Sequence, residues 1–154
     1  MENTKGKTMM TYMIPGNPIA WKRAGINGKK FFDQQTQDKS AYRIVFESQH
    51  DAAPFDGPLL FDITFFMKIP ASLSPGQRAR MHLTHHSIKP DASNLLKFIE
   101  DAATGILYFD DRQIAQVKLS KYWSLEPRTL LTIKPLNPHD RFDPIAHEEN
   151  NNRI

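Results

Sequence analysis

A chain of 154 residues is the size of one domain and long enough to bury a real core, and 40% hydrophobic with 24% charged residues is ordinary for a globular protein. The absence of cysteine excludes a disulfide-stapled fold and thiolate metal sites, and makes a reducing cytoplasm the expected compartment. No apolar run approaches the roughly 20 residues of a membrane span, the polar stretch from Met1 to Thr8 has no signal-peptide core, and the formal charge of +3 divides into +5 before Asn137 and −2 after it.

Thr11 to Ile14 reads as a first strand, stopped by Pro15-Gly16. Trp21 to Phe32 carries Asn27-Gly28 between basic flanks, a tight-turn signal that predicts a hairpin or ordered loop displaying Lys22, Arg23, Lys29 and Lys30. Thr36 to Ala53 contains neither proline nor glycine, and the spacing of Ala41, Ile44, Val45 and Ala52 predicts a helix. Pro58 to Pro70 holds the strongest strand, whose near-continuous apolarity suggests a central position covered on both faces. Ala71 to Pro90 breaks pattern and predicts a long loop carrying Arg78, Arg80, Lys89 and three histidines. Asp91 to Leu107 reads as a helix, and Ile114 to Trp123 and Arg128 to Ile133 as two closing strands joined at Glu126-Pro127. The order β, β, α, β, α, β, β predicts a mixed α/β (α+β) single domain with a mixed sheet and two main helices. Its expected bounds are residues 11–136, after an N-terminal extension of residues 1–10 and before a polar, flexible tail of residues 137–154.

At about 100° per residue, Leu95, Phe98, Ile99, Ala102 and Ile106 share the core face of the last helix, while Asn94, Lys97 and Asp101 share another with Asp91 at its edge. Two plain accounts compete with a chemical one. Asp91 or Ser93 can simply cap the helix, and Lys97 with Asp101 has the spacing of an ordinary i, i+4 ion pair. Asp110-Asp111 at the following turn is an Asx-type cap or a pair of hard oxygen donors suited to Mg²⁺. Phosphodiester hydrolysis asks for a metal to activate water and a nearby cation to meet developing charge, a requirement these residues meet if the chain folds back. His82, His85 and His86 lack the further ligand a zinc site needs, so contact with DNA phosphates is the better functional reading of that loop. A merely solvated loop remains the alternative.

The run Lys89-Pro90-Asp91-Ala92-Ser93-Asn94-Leu95-Leu96-Lys97, then Asp101-Ala102, then Gly105 and Asp110-Asp111-Arg112-Gln113-Ile114, closely resembles the signature of the RusA-like Holliday junction resolvases. That signature reads K-P-D-x-D-N-L-x-K, D-A, and D-D-x-Q-[IV] after a glycine and a hydrophobic stretch. Weaker similarity covers most of the chain, through Pro15-Gly16-Asn17-Pro18, Tyr42-Arg43, Pro58 and Lys121-Tyr122. The resemblance implies a small mixed fold, a homodimer, and Mg²⁺-dependent paired nicking of four-way DNA junctions, with Mn²⁺ as a possible substitute, in a bacterial or phage-derived setting.

Carried over by position, Asp91 and Asp111 match metal-binding aspartates and Lys97 the catalytic lysine. Asn94, Asp101 and Asp110 fall on recurrent motif positions, and Asp110 joins the expected metal set. Ser93 departs from the pattern, standing where the family has a second catalytic aspartate. A hydroxyl is a weaker ligand and lacks the negative charge, so the departure bears on activity rather than on fold or DNA binding. Asp110 or Glu100 would be the residues to compensate. The leading reading is a junction-resolving nuclease contacting DNA through Lys22, Arg23, Lys29, Lys30, Arg78, Arg80 and Lys89. Its rival is a catalytically impaired branched-DNA-binding protein of the same fold, and a metal-free interaction domain is a third. Phe65, Phe66, Leu107 and Phe109 supply apolar material for the expected dimer interface.

Overall fold

In the computed structural model, which describes residues 8–27 and 30–152, the chain runs β1 (Met10–Pro15), β2 (Gly25–Asn27), β3 (Lys30–Phe32), α1 (Thr36–Gln49), β4 (Leu59–Lys68), α2 (Pro75–Met81), α3 (Ala92–Ala103), β5 (Ile114–Ser124), β6 (Arg128–Pro135) and α4 (Pro144–Asn151). A four-stranded sheet has the order β1-β6-β4-β5, with β4 and β5 parallel and the other pairs antiparallel. β2 and β3 pair as a separate antiparallel ribbon, so the hairpin expected between Trp21 and Phe32 forms. Gly28 and Lys29 lie outside the described residues.

β4 is central, as its apolar run predicts, but only one of its faces is sealed. Leu59, Phe61, Ile63, Phe65 and Met67 are buried, while Leu60, Asp62, Thr64 and Phe66 are half-exposed. The sealed face packs against α1 and α3, whose Tyr42, Phe46, Leu95, Phe98, Ile99, Ala102 and Ala103 join Tyr12, Leu131 and Ile133 in one core. Phe66, on the other face, is satisfied sideways by its cross-strand neighbours. The Arg128 guanidinium lies 3.9 Å over its ring, and Tyr122 stacks against it at 6.2 Å. Lateral packing thus replaces the second covering layer that the apolar run suggested.

The turn after β5 does not make a hairpin. β5 and β6 flank β4 instead of pairing, and Leu125–Pro127 crosses the end of the central strand. Ser124 secures this crossing, because its buried Oγ accepts from Glu126 N–H at 3.0 Å and donates to Glu126 O at 3.1 Å.

Helix ends fall short of the sequence-based bounds for local reasons. α1 stops at Gln49 because His50 is held elsewhere, its Nδ1 bonded to Tyr12 Oη at 2.7 Å and its Nε2 to Ala53 O at 2.9 Å. α3 stops at Ala103, where Arg43 of α1 donates to Ala102 O and Thr104 O and so satisfies two terminal carbonyls. Gly105, at φ +85°, then reverses the chain.

The long loop expected over Ala71–Pro90 is largely structured. Ser74 and Gln77 form a reciprocal capping box that starts α2. Leu83 to His86 then docks along the free edge of β5, through Leu83 N–H to Trp123 O, Trp123 N–H to Thr84 O and His86 N–H to Lys121 O. In the tail, Asp143 caps α4, which buries none of its residues.

Candidate active site

The first turn of α3 is built by the edge segment and by Lys121. That lysine reaches from β5 to donate to Ile88 O at 2.9 Å and to Pro90 O at 2.6 Å, which fixes the chain entering Asp91. Burial lowers the Lys121 pKa, and the nearby Asp91 charge opposes the shift. A groove of about 360 Å³ opens here, lined by Lys89, Pro90, Asp91 and Asn94. Asp91 stands at the N-cap position with extended backbone, yet its side chain caps nothing and is exposed. The capping account of Asp91 therefore describes its backbone and leaves the carboxylate unused. Ser93, in the same turn, is exposed as well.

Lys97 is not in the ion pair its spacing suggested. Its Nζ lies 3.8 Å from the centroid of the Trp21 ring, while Asp101 faces Lys39 of α1 at 3.9 Å. Trp21 is seated on α3 by its backbone N–H, which donates to Asn94 O at 2.9 Å. One turn further on, Glu100 is half-buried and its carboxyl is pushed above the usual range. Burial is the main cause, Asp111 and Asp101 add to it, and Lys97 works against it.

The adjacent aspartates divide their work. Asp110 accepts from Arg112 N–H at 2.9 Å, Nε at 3.1 Å and Nη2 at 2.9 Å, which starts the 3₁₀ turn Asp111–Gln113. These bonds from Arg112 hold its pKa down at about 2. Asp111, the first residue of that turn, is exposed. Gln113 anchors the turn: its Oε1 accepts from Phe109 and Asp110 N–H at 2.8 and 2.9 Å, and its Nε2 donates to Phe55 O and Gly57 O at 2.9 and 3.1 Å. In the sequence the signal for Gln113 is its place in the Asp110-Asp111-Arg112-Gln113 run, which carries no hint of these four bonds.

A match to the family model described as Endodeoxyribonuclease RusA spans residues 15–134. The chain belongs to the RusA endodeoxyribonuclease family. It is also similar to the uncharacterized protein YqaN of Bacillus subtilis (strain 168), 29% identical over 136 residues that cover 82% of this chain and 96% of that protein.

RusA-family nucleases generally depend on a divalent metal. Among the described residues, no three Asp, Glu or His side chains converge as a metal-binding group. Asp91 starts α3, and Asp111 lies close enough to help raise the pKa of Glu100 on the same helix. The donor chemistry nonetheless fits Mg²⁺, which commonly takes only one or two carboxylates and completes its shell with water and substrate phosphate. Asp91 and Asp111 are exposed carboxylates of that kind. Asp110, expected among the metal ligands, has its carboxylate held by Arg112.

The basic residues expected to contact DNA sit on several separate segments. Lys22 and Arg23 are exposed beside Trp21, Lys89 lines the groove, and Arg80 is exposed on α2. Arg78 is only half-exposed, and its buried Nε has no hydrogen-bond partner among the described residues. Lys30 opens β3, and Lys29 lies outside the described residues. The histidines go to separate tasks: His82 Nδ1 accepts from Leu125 N–H at 3.0 Å, His85 packs on Tyr122, and the buried His86 packs on Trp123. Of the apolar residues expected at an interface, Phe65 and Leu107 are fully buried in the core, while Phe109 is 60% exposed.

Proposed function

We propose that this protein is a divalent-metal-dependent endonuclease that resolves four-way DNA junctions by paired nicks, acting in the cytoplasm during recombination and repair. The observation that carries the reading is the polar end of α3. Asp91 and Lys97 lie on an exposed surface, and neither the helix cap nor the Asp101 ion pair engages them. In this reading Asp91 and Asp111 hold Mg²⁺, for which Mn²⁺ substitutes. The ion, when bound, supplies an activated water and neutralises phosphate charge. Lys97 meets the charge that develops on the phosphate in the transition state. Lys22, Arg23, Lys29, Lys30, Arg80 and Lys89 contact DNA phosphates, with Arg78 contributing less because it is partly buried. Two copies related by a two-fold axis match the symmetry of the junction and its two nicks.

Cleavage of a synthetic four-way junction with Mg²⁺ tests the reading, the expected products being symmetric nicks in two opposing strands. Tight junction binding without cleavage at any Mg²⁺ or Mn²⁺ concentration would refute it in favour of a branched-DNA-binding protein, the reading that Ser93 favours. Sedimentation at micromolar concentration without DNA should show a dimer; monomer alone would remove the two-fold part of the proposal.

A further inference from the structure

The segment between β1 and β2 is held more tightly than a surface connection requires. Gln35, 2% exposed, donates its Nε2 to Ala20 O at 2.8 Å and accepts from Lys22 N–H at 2.8 Å, and its own N–H is fixed by Asp33 Oδ1 at 2.8 Å. Between those two clamps stands Trp21, whose N–H donates to Asn94 O on α3. The outcome is an indole ring laid under the Lys97 ammonium at 3.8 Å.

We propose that Trp21 is the positioning residue for Lys97, orienting its ammonium for the scissile phosphate without neutralising it. The proposal rests on the role given to Lys97 above. A free lysine side chain samples many rotamers, and fixing one costs conformational entropy at the moment of reaction. A carboxylate partner would fix it too, but would also compete with the phosphate for its charge. An aromatic face attracts a cation through its quadrupole and carries no net charge. The carboxylate one helical turn away illustrates the difference. Asp101 has the spacing to pair with Lys97, but it faces Lys39 of α1 at 3.9 Å, a lysine whose nearer carboxylate is Asp33 at 2.8 Å. The ring is left as the ordering contact, and Asn94 O and Gln35 set where that ring stands.

The test compares wild type, Trp21→Phe and Trp21→Leu as full-length proteins, by cleavage of a four-way junction with Mg²⁺ and by NMR of the Lys97 side-chain methylenes. Cation–π contacts span about 0.5 to 2 kcal/mol, so Trp21→Leu should lower kcat about 2-fold to 30-fold with KM little changed, and Trp21→Phe should recover part of the loss. The Lys97 methylene resonances, shielded by the indole ring in wild type, should return to ordinary lysine positions in Trp21→Leu. Should Trp21→Leu fail to fold, Trp21→Phe still gives a graded result, because tryptophan presents the stronger cation-binding face. A Trp21→Leu protein that folds and cuts at the wild-type rate overturns the proposal, as do Lys97 resonances that Trp21→Leu leaves unmoved. If Lys97→Ala also cuts at the wild-type rate, the error lies in the role of Lys97, and the NMR shift still decides whether Trp21 orders it.

Discussion

Gln113→Ala removes a side chain that uses its whole amide to tie the Asp110-Asp111 turn to the chain entering β4. Its carbonyl accepts from two backbone N–H groups and its amide nitrogen donates to two backbone carbonyls, all within 3.1 Å. Four bonds at about 0.5–1.5 kcal/mol each would give about 2–6 kcal/mol, and partial exposure of the network favours the low end, about 2–3 kcal/mol. For a chain of this size that lowers Tm by roughly 4–12 °C. Gln113→Glu sharpens the test. It keeps the shape and the acceptor, but near neutral pH it turns a carboxylate oxygen toward Phe55 O and Gly57 O, where a donor stood. It should therefore be no milder than alanine, and acidification should relieve it. Urea unfolding gives the stability change, and single-turnover junction cleavage reports whether Asp111 keeps its place. Loss of a supporting partner at a metal site commonly costs 10-fold to 100-fold in activity. A Gln113→Ala loss below about 1 kcal/mol, or a harmless Gln113→Glu, would show that the turn is held by other contacts.

Lys97→Ala should abolish cleavage while junction affinity stays within a few-fold, because the residue is exposed and its removal opens no cavity; normal cutting, or unfolding in urea at much lower concentration, would count against the catalytic role. Ser93→Asp should raise Mn²⁺ affinity and cleavage rate by about 10-fold to 100-fold, and folding should tolerate it because aspartate suits the first turn of a helix. Unchanged Mn²⁺ affinity by calorimetry would mean that Ser93 is not a vacated ligand position. Junction affinity measured by anisotropy should fall with salt, and Arg80→Ala should reduce the log–log slope by about 0.9 per lost phosphate contact. Arg78→Ala should change that slope less and lower stability more, in keeping with its partial burial.

What could be read from the sequence follows physical range. The α3 stripe of Leu95, Phe98, Ile99 and Ala102 repeats at the helical period, and all four are buried. β4 announces itself through hydrophobicity alone. α2 escapes because it buries none of its residues and begins Pro-Gly, so periodicity is silent there. Its real signal is the Ser74-x-x-Gln77 spacing, a local hydrogen-bonding pattern that asks for no core. The separation of β5 from β6 by β4 escapes for a different reason. A three-residue connection ordinarily implies a hairpin, and only the need to give the apolar β4 two neighbours argues for the crossing.

The site divides along the same line. Positions set within one helix or turn, such as Asp91, Lys97 and Asp111, are visible as spacing. Partners brought from elsewhere in the chain are not: Trp21 under Lys97, Lys121 against the carbonyls before Asp91, Lys39 facing Asp101, and Gln113 spanning to Phe55. These long-range partners also change what the local pattern means. By spacing, Lys97 and Asp101 are a salt bridge and Asp110 and Asp111 are equivalent. In the fold, Lys97 faces a ring, Asp101 faces another helix, Asp110 is held by Arg112, and Asp111 is left exposed. A motif written as D-D-x-Q therefore contains three different jobs. Its first aspartate starts the turn, its glutamine anchors the turn to the chain entering β4, and the carboxylate between them is exposed.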